Sequence, residues 1–233
     1  EAMGMSLPYN STNPANCAEK VIECEEAGKS MLKLLELDLK PREIVTKKSL
    51  ENAFRLITLL GGSTNAVLHL LAIARTADIE FELSDMQYIS DSTPFIADLK
   101  PSGSYVMEDL HNAGGIPAVL KTMLVDGILH GDQKTITGAS LAENLADITP
   151  LNFETQKVVF PIHEPIKSTG HIQILYGNLA SNGAVAKITG KEGLRFAGPA
   201  RVFNSEEEAN EGISSGAVQK GDVIVIRYVG PKG

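Results

Sequence analysis

The chain has 233 residues, of which 43% are hydrophobic and 21% charged, enough for one large domain or two small ones with a sizeable core. Its net charge of -8 sets the surface against phosphate backbones and anionic lipid, so nucleic acid is not an expected partner. With two cysteines and no apolar run long enough to span a bilayer, neither a disulfide framework nor a membrane partner is expected, and a reducing compartment fits.

The chain opens on Glu1 with neither an initiator Met nor a basic, apolar targeting segment, so the natural N-terminus is expected elsewhere. Asn13-Pro14 reads as the N-cap and first residue of a helix running to about Leu37,. On it Cys17, Val21, Cys24, Met31 and Leu35 recur at helical spacing and predict a buried stripe,. A second helix is expected over Ser49 to Leu60. A third follows Gly61-Gly62-Ser63 and is so apolar, through Ala66, Val67, Leu68, Leu70, Leu71, Ala72 and Ile73, that it should lie inside the protein,. Gly103 to Ala113 reads as a helix ended by Gly114-Gly115 with Ser102 as its cap, and Pro117 opens another that stops at Gly127,.

After Asp147 the pattern turns to short β-branched runs: Val158-Val159-Phe160, His171 to Leu175, Ala184 to Ile188 and Asp222 to Tyr228. These predict strands, with a turn at Asn182-Gly183. Ser205 before Glu206-Glu207-Glu208 predicts a helix within this region, because the hydroxyl caps and the acids complement the dipole,. The division is therefore expected in the polar stretch Thr149 to Gln156, giving a helical part over residues 1–148 and a β-rich part over 149–233. The last strand runs into Gly230-Pro231-Lys232-Gly233, so the β-rich part looks unfinished.

The local feature with most chemical promise is Gly61-Gly62-Ser63-Thr64-Asn65 at the entry to an apolar helix. Such a turn can face an anion with backbone N–H groups and the helix dipole, and Ser63, Thr64 and Asn65 add neutral donors. Plain capping by Ser63 and close packing by the glycines explains it at least as well. His69, four residues after Asn65, could reach the same pocket, but a lone His on an apolar helix reads more readily as a hydrogen-bonded core residue. His111 and His130 sit near glycine-rich turns in capping or surface positions; His163 and His171 have no ligand-like spacing. Cys17 and Cys24, two turns or roughly 10 Å apart on one helix, are too distant to share a small cluster and read as buried, inert thiols. No metal site is visible, and Asp98, Glu108 and Asp109 read as solvated carboxylates,.

Longer runs carry a resemblance. Glu1 to Pro8, Gly61 to Leu70, Asp98-Leu99-Lys100-Pro101-Ser102-Gly103, His130-Gly131-Asp132 with Thr135 to Gly138, Gly177 to Ala180 with Gly183 to Lys187, and Gly221 to Gly233 resemble the dihydroxy-acid dehydratase and sugar-acid dehydratase family. The stretch Asn65 to Leu70 and the Lys-Pro-Ser-Gly run are more similar to the branched-chain enzyme than to the gluconate-type members. Pro165 to Ile172 resembles eukaryotic, particularly fungal, versions. Gln133 stands where many relatives have a cysteine.

The resemblance implies an α/β N-terminal domain, of which this chain holds the helix-rich part, followed by part of a β-barrel-like C-terminal domain. It implies a homodimeric hydro-lyase that converts a 2,3-dihydroxy acid of the isovalerate type to a 2-keto acid in branched-chain amino-acid synthesis, in the mitochondrial matrix or otherwise the cytoplasm. A gluconate-type dehydratase, or an inhibitor-tolerant or silent paralogue, would look similar. The family's iron–sulfur cluster and magnesium ion take their ligands, and its catalytic serine lies, outside the matching stretches. No catalytic or metal-binding residue is therefore carried onto this segment, which is expected to be inactive alone and to contribute pocket wall through Ser63, Thr64, Asn65 and Ser102.

Overall fold

The computed structural model describes residues 1–190, 193 and 195–230. The chain forms two compact units, Glu1–Thr189 and Gly190–Gly233. Both the helical and the strand-forming segments are present, giving the mixed α/β class expected.

The first unit is organised about α3 (Lys47–Leu60). Its start follows from Thr46, whose hydroxyl accepts from Ser49 N at 3.1 Å while Ser49 Oγ accepts from Thr46 N at 2.9 Å, so two orphan amides are satisfied reciprocally. Its end follows from Gly61, a left-handed C-cap at φ 81°,. Between them Leu56, Leu59 and Leu60 enter one core with Ile96, Leu120 and Met123, whereas Leu50, Ala53 and Phe54 enter a second with Val67, Met86, Ile89 and Ile172. One helix thus serves two cores from two faces.

Around it lie α1 (Ala18–Glu36), α2 (Pro41–Ile44), α4 (Asn65–Thr76), α5 (Leu83–Asp91), α6 (Met107–Asn112), α7 (Gly115–Val125) and α8 (Leu141–Asn144). The helix buried nearly all round is α7, from Gly115 through Met123. The run expected there, α4, buries only Val67, Leu70 and Ala74; Leu68 is 59% exposed, since within the first unit that side is uncovered.

The first helix also departs from its reading. It starts after Cys17, since the Asn13 amide donates to Glu23 instead of capping. The expected stripe is not buried: Val21, Met31 and Leu35 are exposed, Cys24 is exposed and Cys17 half-buried. The helix is amphipathic in sequence, but within this unit nothing packs across its apolar face, and that face only borders an open groove shared with Met5, Leu7 and Ile136.

No helix starts at Gly103. The chain there folds back on itself, with Gly103 N donating to Leu99 O at 2.9 Å and Ser104 and Tyr105 N both donating to Asp98 O. Helix α6 begins later, after Val106, whose N–H donates to the Asp109 carboxylate at 2.8 Å, so its N-cap is Val106 and not Ser102. Pro117 lies in the first turn of α7, where its missing N–H costs no helical bond,.

Strands β1 (Ile172–Gly177) and β2 (Ala180–Lys187) form an antiparallel hairpin with Ile172 opposite Lys187. Its turn falls at Asn178-Leu179, not at Asn182-Gly183, which lies within β2. Burial of Ile172 and Ile174 sets this register,, and Gly183 uses its φ of 101° to pass Leu83, where a Cβ would approach within 2.9 Å,. Val158-Val159-Phe160 makes only an isolated bridge, Val159 to Ala97, while Val158 and Val159 fill the core.

In the second unit β3 (Ala200–Phe203), α9 (Glu206–Ser214) and β4 (Val223–Ile226) form a βαβ unit with the strands parallel, Ala200 opposite Val223. Ser205 Oγ accepts from Glu208 N at 3.2 Å, so α9 is capped as its sequence specifies,. The strand read to Tyr228 ends at Ile226; Pro231 to Gly233 lie outside the described residues. Among the described residues the strands make two separate two-stranded sheets.

Candidate functional site

A cleft of about 560 Å³ opens where the α3–α4 turn, the loop after Ala97 and the end of β2 meet. Ser63 and Thr64 line it, together with Gly61 and Gly62, and Lys100, Pro101 and Lys187 stand around them. Leu56, Leu60 and Ile116 supply an apolar floor from the first core, and Ile57, which packs against the second, completes it. The cleft thus combines apolar walls with a few polar groups, the usual make-up of a small-molecule site.

The predicted pocket residues divide. Ser63 and Thr64 are in the wall; Asn65 is exposed at the start of α4 and Ser102 follows the lining residue Pro101, neither being part of the lining. Ser63 Oγ accepts from Asn65 N at 3.2 Å, which is the local capping role its position allows. Among the described residues no protein acceptor takes the amides of Ser63 and Thr64. They are the polar backbone groups the turn has left over.

What holds this turn is a pair of residues that sequence reasoning missed. Nε2 of His171 lies 2.7 Å from Gly62 O and its Nδ1 3.0 Å from Thr58 O. Lys187 Nζ donates to Gly61 O at 3.2 Å. The pairing of Ile172 with Lys187 places both basic residues at the same end of the hairpin, information that appears only once the register is known. His171 is fully buried. Burial holds its imidazole below the usual 6.5, with Lys187 and Lys167 adding to that effect, against the two carbonyls, which favour the charged ring,.

The other histidines are elsewhere. His69 is exposed on the outer face of α4, neither in the core nor in the cleft. His111 Nδ1 is 3.2 Å from Thr12 Oγ1, with its ring edge-on to Tyr9; His130 Nε2 pairs with Glu51 at 2.8 Å; His163 is exposed. Gln133 is buried and bridges Thr46 Oγ1 and Asp132 Oδ1, so it ties the start of α3 to the loop after α7. Among the described residues no group of three His, Cys, Asp or Glu side chains is placed to hold a metal ion. Among the described residues the donor set fits neither an iron–sulfur cluster nor a magnesium ion. No helix among the described residues is long and apolar enough to cross a membrane.

Lys100, Lys187 and Glu1 all line the cleft, and the Glu1 carboxylate accepts from Tyr9 N at 3.0 Å and Ser11 N at 3.1 Å. Ser11 Oγ, also in the lining, donates to the same Glu1 carboxylate.

Comparison with known proteins accounts for both halves of the chain. Residues 1–144 match the family described as dihydroxy-acid/6-phosphogluconate dehydratase N-terminal, and residues 157–233 the corresponding C-terminal family. Curated proteins named dihydroxy-acid dehydratase are similar over all 233 residues: 57% identical in Francisella tularensis subsp. novicida, 56% in Flavobacterium psychrophilum and 54% in Lactococcus lactis subsp. cremoris. The chain spans 41%, 42% and 41% of those relatives' lengths. Its first and last segments thus match the two domains in the order in which the family carries them, and the chain belongs to the dihydroxy-acid/6-phosphogluconate dehydratase family.

Proposed function

We propose that the whole protein to which this chain belongs is a dihydroxy-acid dehydratase: a hydro-lyase that removes water from a 2,3-dihydroxy acid of the isovalerate type to give a 2-keto acid for branched-chain amino-acid synthesis. The observation that carries this reading is the uninterrupted similarity, at 54–57% identity, to relatives bearing that name. In this reading the iron–sulfur cluster, the magnesium ion and the proton-abstracting serine come from chain outside the 233 residues, and the active form is a homodimer. The present residues supply the apolar floor, the Gly61–Thr64 turn and the two lysines that attract the substrate carboxylate,.

The run Pro165 to Ile172 supports the mitochondrial matrix as the compartment, although the similar relatives named above are bacterial. Imaging a tagged whole protein in its source cells tests that. For the activity, the whole protein assayed with 2,3-dihydroxyisovalerate and with gluconate should form keto acid preferentially from the first; turnover of gluconate alone would move the assignment to the sugar-acid branch. The isolated 233-residue chain should form none from either.

A further inference from the structure

Helix α3 ends with carbonyls that have no intrahelical partner, and they carry the negative end of the helix dipole. Water could satisfy them, and the following turn would then be free to move. Instead, His171 and Lys187, 109 and more residues away in sequence, meet the carbonyls at this end: Thr58 in the last turn of α3 and Gly62 just past its cap face the His171 ring, and the Gly61 cap accepts from Lys187. We propose that the β1–β2 hairpin sets the conformation of the substrate-facing Gly61–Thr64 turn through these contacts, with His171 as its positioning residue.

The ring is itself held in place. It is fully buried and packs against Phe95, centroid to centroid 5.5 Å, and its own backbone carbonyl accepts from Ile188 N at 2.6 Å. The charged groups that bear on it are Lys187 on β2 and Lys167 on the preceding loop; α3 and its cap present carbonyls, and Phe95 an aromatic face. Burial and both lysines disfavour a second proton on the ring, so one of its nitrogens donates, Nε2 to Gly62 O at 2.7 Å or Nδ1 to Thr58 O at 3.0 Å according to the tautomer,. Gly62 directly precedes Ser63, so the orientation of that peptide decides where the Ser63 and Thr64 amides face. The clamp stands on geometry alone; only its service to a dihydroxy acid rests on the dehydratase reading.

The test is amide hydrogen exchange by mass spectrometry on the complete protein, comparing the peptide over residues 57–68 with one over 115–125 in α7. In His171→Phe, which keeps an aromatic ring but no donor, exchange over 57–68 should rise roughly tenfold while α7 is unchanged, the effect expected of a lost local hydrogen bond. His171→Gln, able to donate to Gly62, should recover most of that protection, and Lys187→Met should loosen the same peptide less. In the dehydratase assay His171→Phe should raise KM more than it lowers kcat. Unchanged exchange over 57–68, an equal rise in both peptides, or no recovery with Gln would each overturn the clamp. Absence of dehydratase activity in the wild-type protein would remove the functional reading and leave the exchange result to decide the clamp.

Discussion

Asn52 and the backbone of His130 form a two-way bond: Asn52 Nδ2 donates to His130 O at 2.9 Å, and His130 N donates to Asn52 Oδ1 at 2.9 Å. Asn52 is fully buried on α3, so its amide stands in for a neighbouring strand and satisfies a loop that crosses the core. Asn52→Ala strands a buried N–H and C=O at once. The expected loss is about 2–4 kcal/mol, read as a lower urea midpoint at unchanged slope. A midpoint within experimental error of wild type would show that water replaces the amide without penalty.

Gly170 is packed so closely that a Cβ there would fall on Thr58 Cγ2 and Ser90 Oγ. Ser90 Oγ is committed to Ile172 O and to Gln173 Nε2, so neither neighbour has room to give. Gly170→Ala is expected to destabilise the chain by about 3 kcal/mol through overpacking and the loss of these bonds. Thermal unfolding checks it; a melting temperature equal to wild type would mean that the seam between α3, α5 and β1 is loosely packed.

The exposure of α1 gives a contrast in magnitudes. Leu59 is fully buried and Leu35 is 72% exposed, although both occupy helical apolar stripes. Leu59→Ala should cost about 3 kcal/mol and Leu35→Ala within about 0.5 kcal/mol in the 233-residue chain. Denaturant titration of the two variants separates them, and a cost at Leu35 approaching that at Leu59 would mean the apolar face of α1 is covered in solution.

His171 predicts a pH dependence. Burial keeps its ring neutral in the folded chain below the 6.5 usual for histidine, whereas the unfolded chain protonates near that value. The stability it secures is therefore complete above 6.5 and declines as pH falls from there toward the folded-state value. Between about pH 7.5 and pH 5 the wild-type urea midpoint should fall more steeply than that of His171→Gln. Carboxylates such as Asp132, which Lys48 holds below the usual 3.8, titrate under this window and do not mask the difference. Parallel slopes would refute the assignment of a buried neutral ring.

Local signals in the sequence located several elements whose deciding interaction is local. The Ser205 cap of α9, the Gly61 stop of α3 and the alternating run around Ile172 to Leu175 each depend on bonds within a few residues, and each lies where its residues indicate. The mixed α/β class was legible for the same reason.

Only the tertiary structure decided which apolar helix is buried, because burial depends on what stands opposite. α4 has the composition of a core helix and α1 an apolar stripe, yet within the first unit neither is covered on that side, while α7 is buried nearly all round. The hairpin turn, the parallel pairing of β3 with β4 and the convergence of His171 and Lys187 on the α3 carbonyls were likewise invisible in one dimension. Each depends on register or on contact between residues far apart in sequence, which the periodicity of a single segment does not encode.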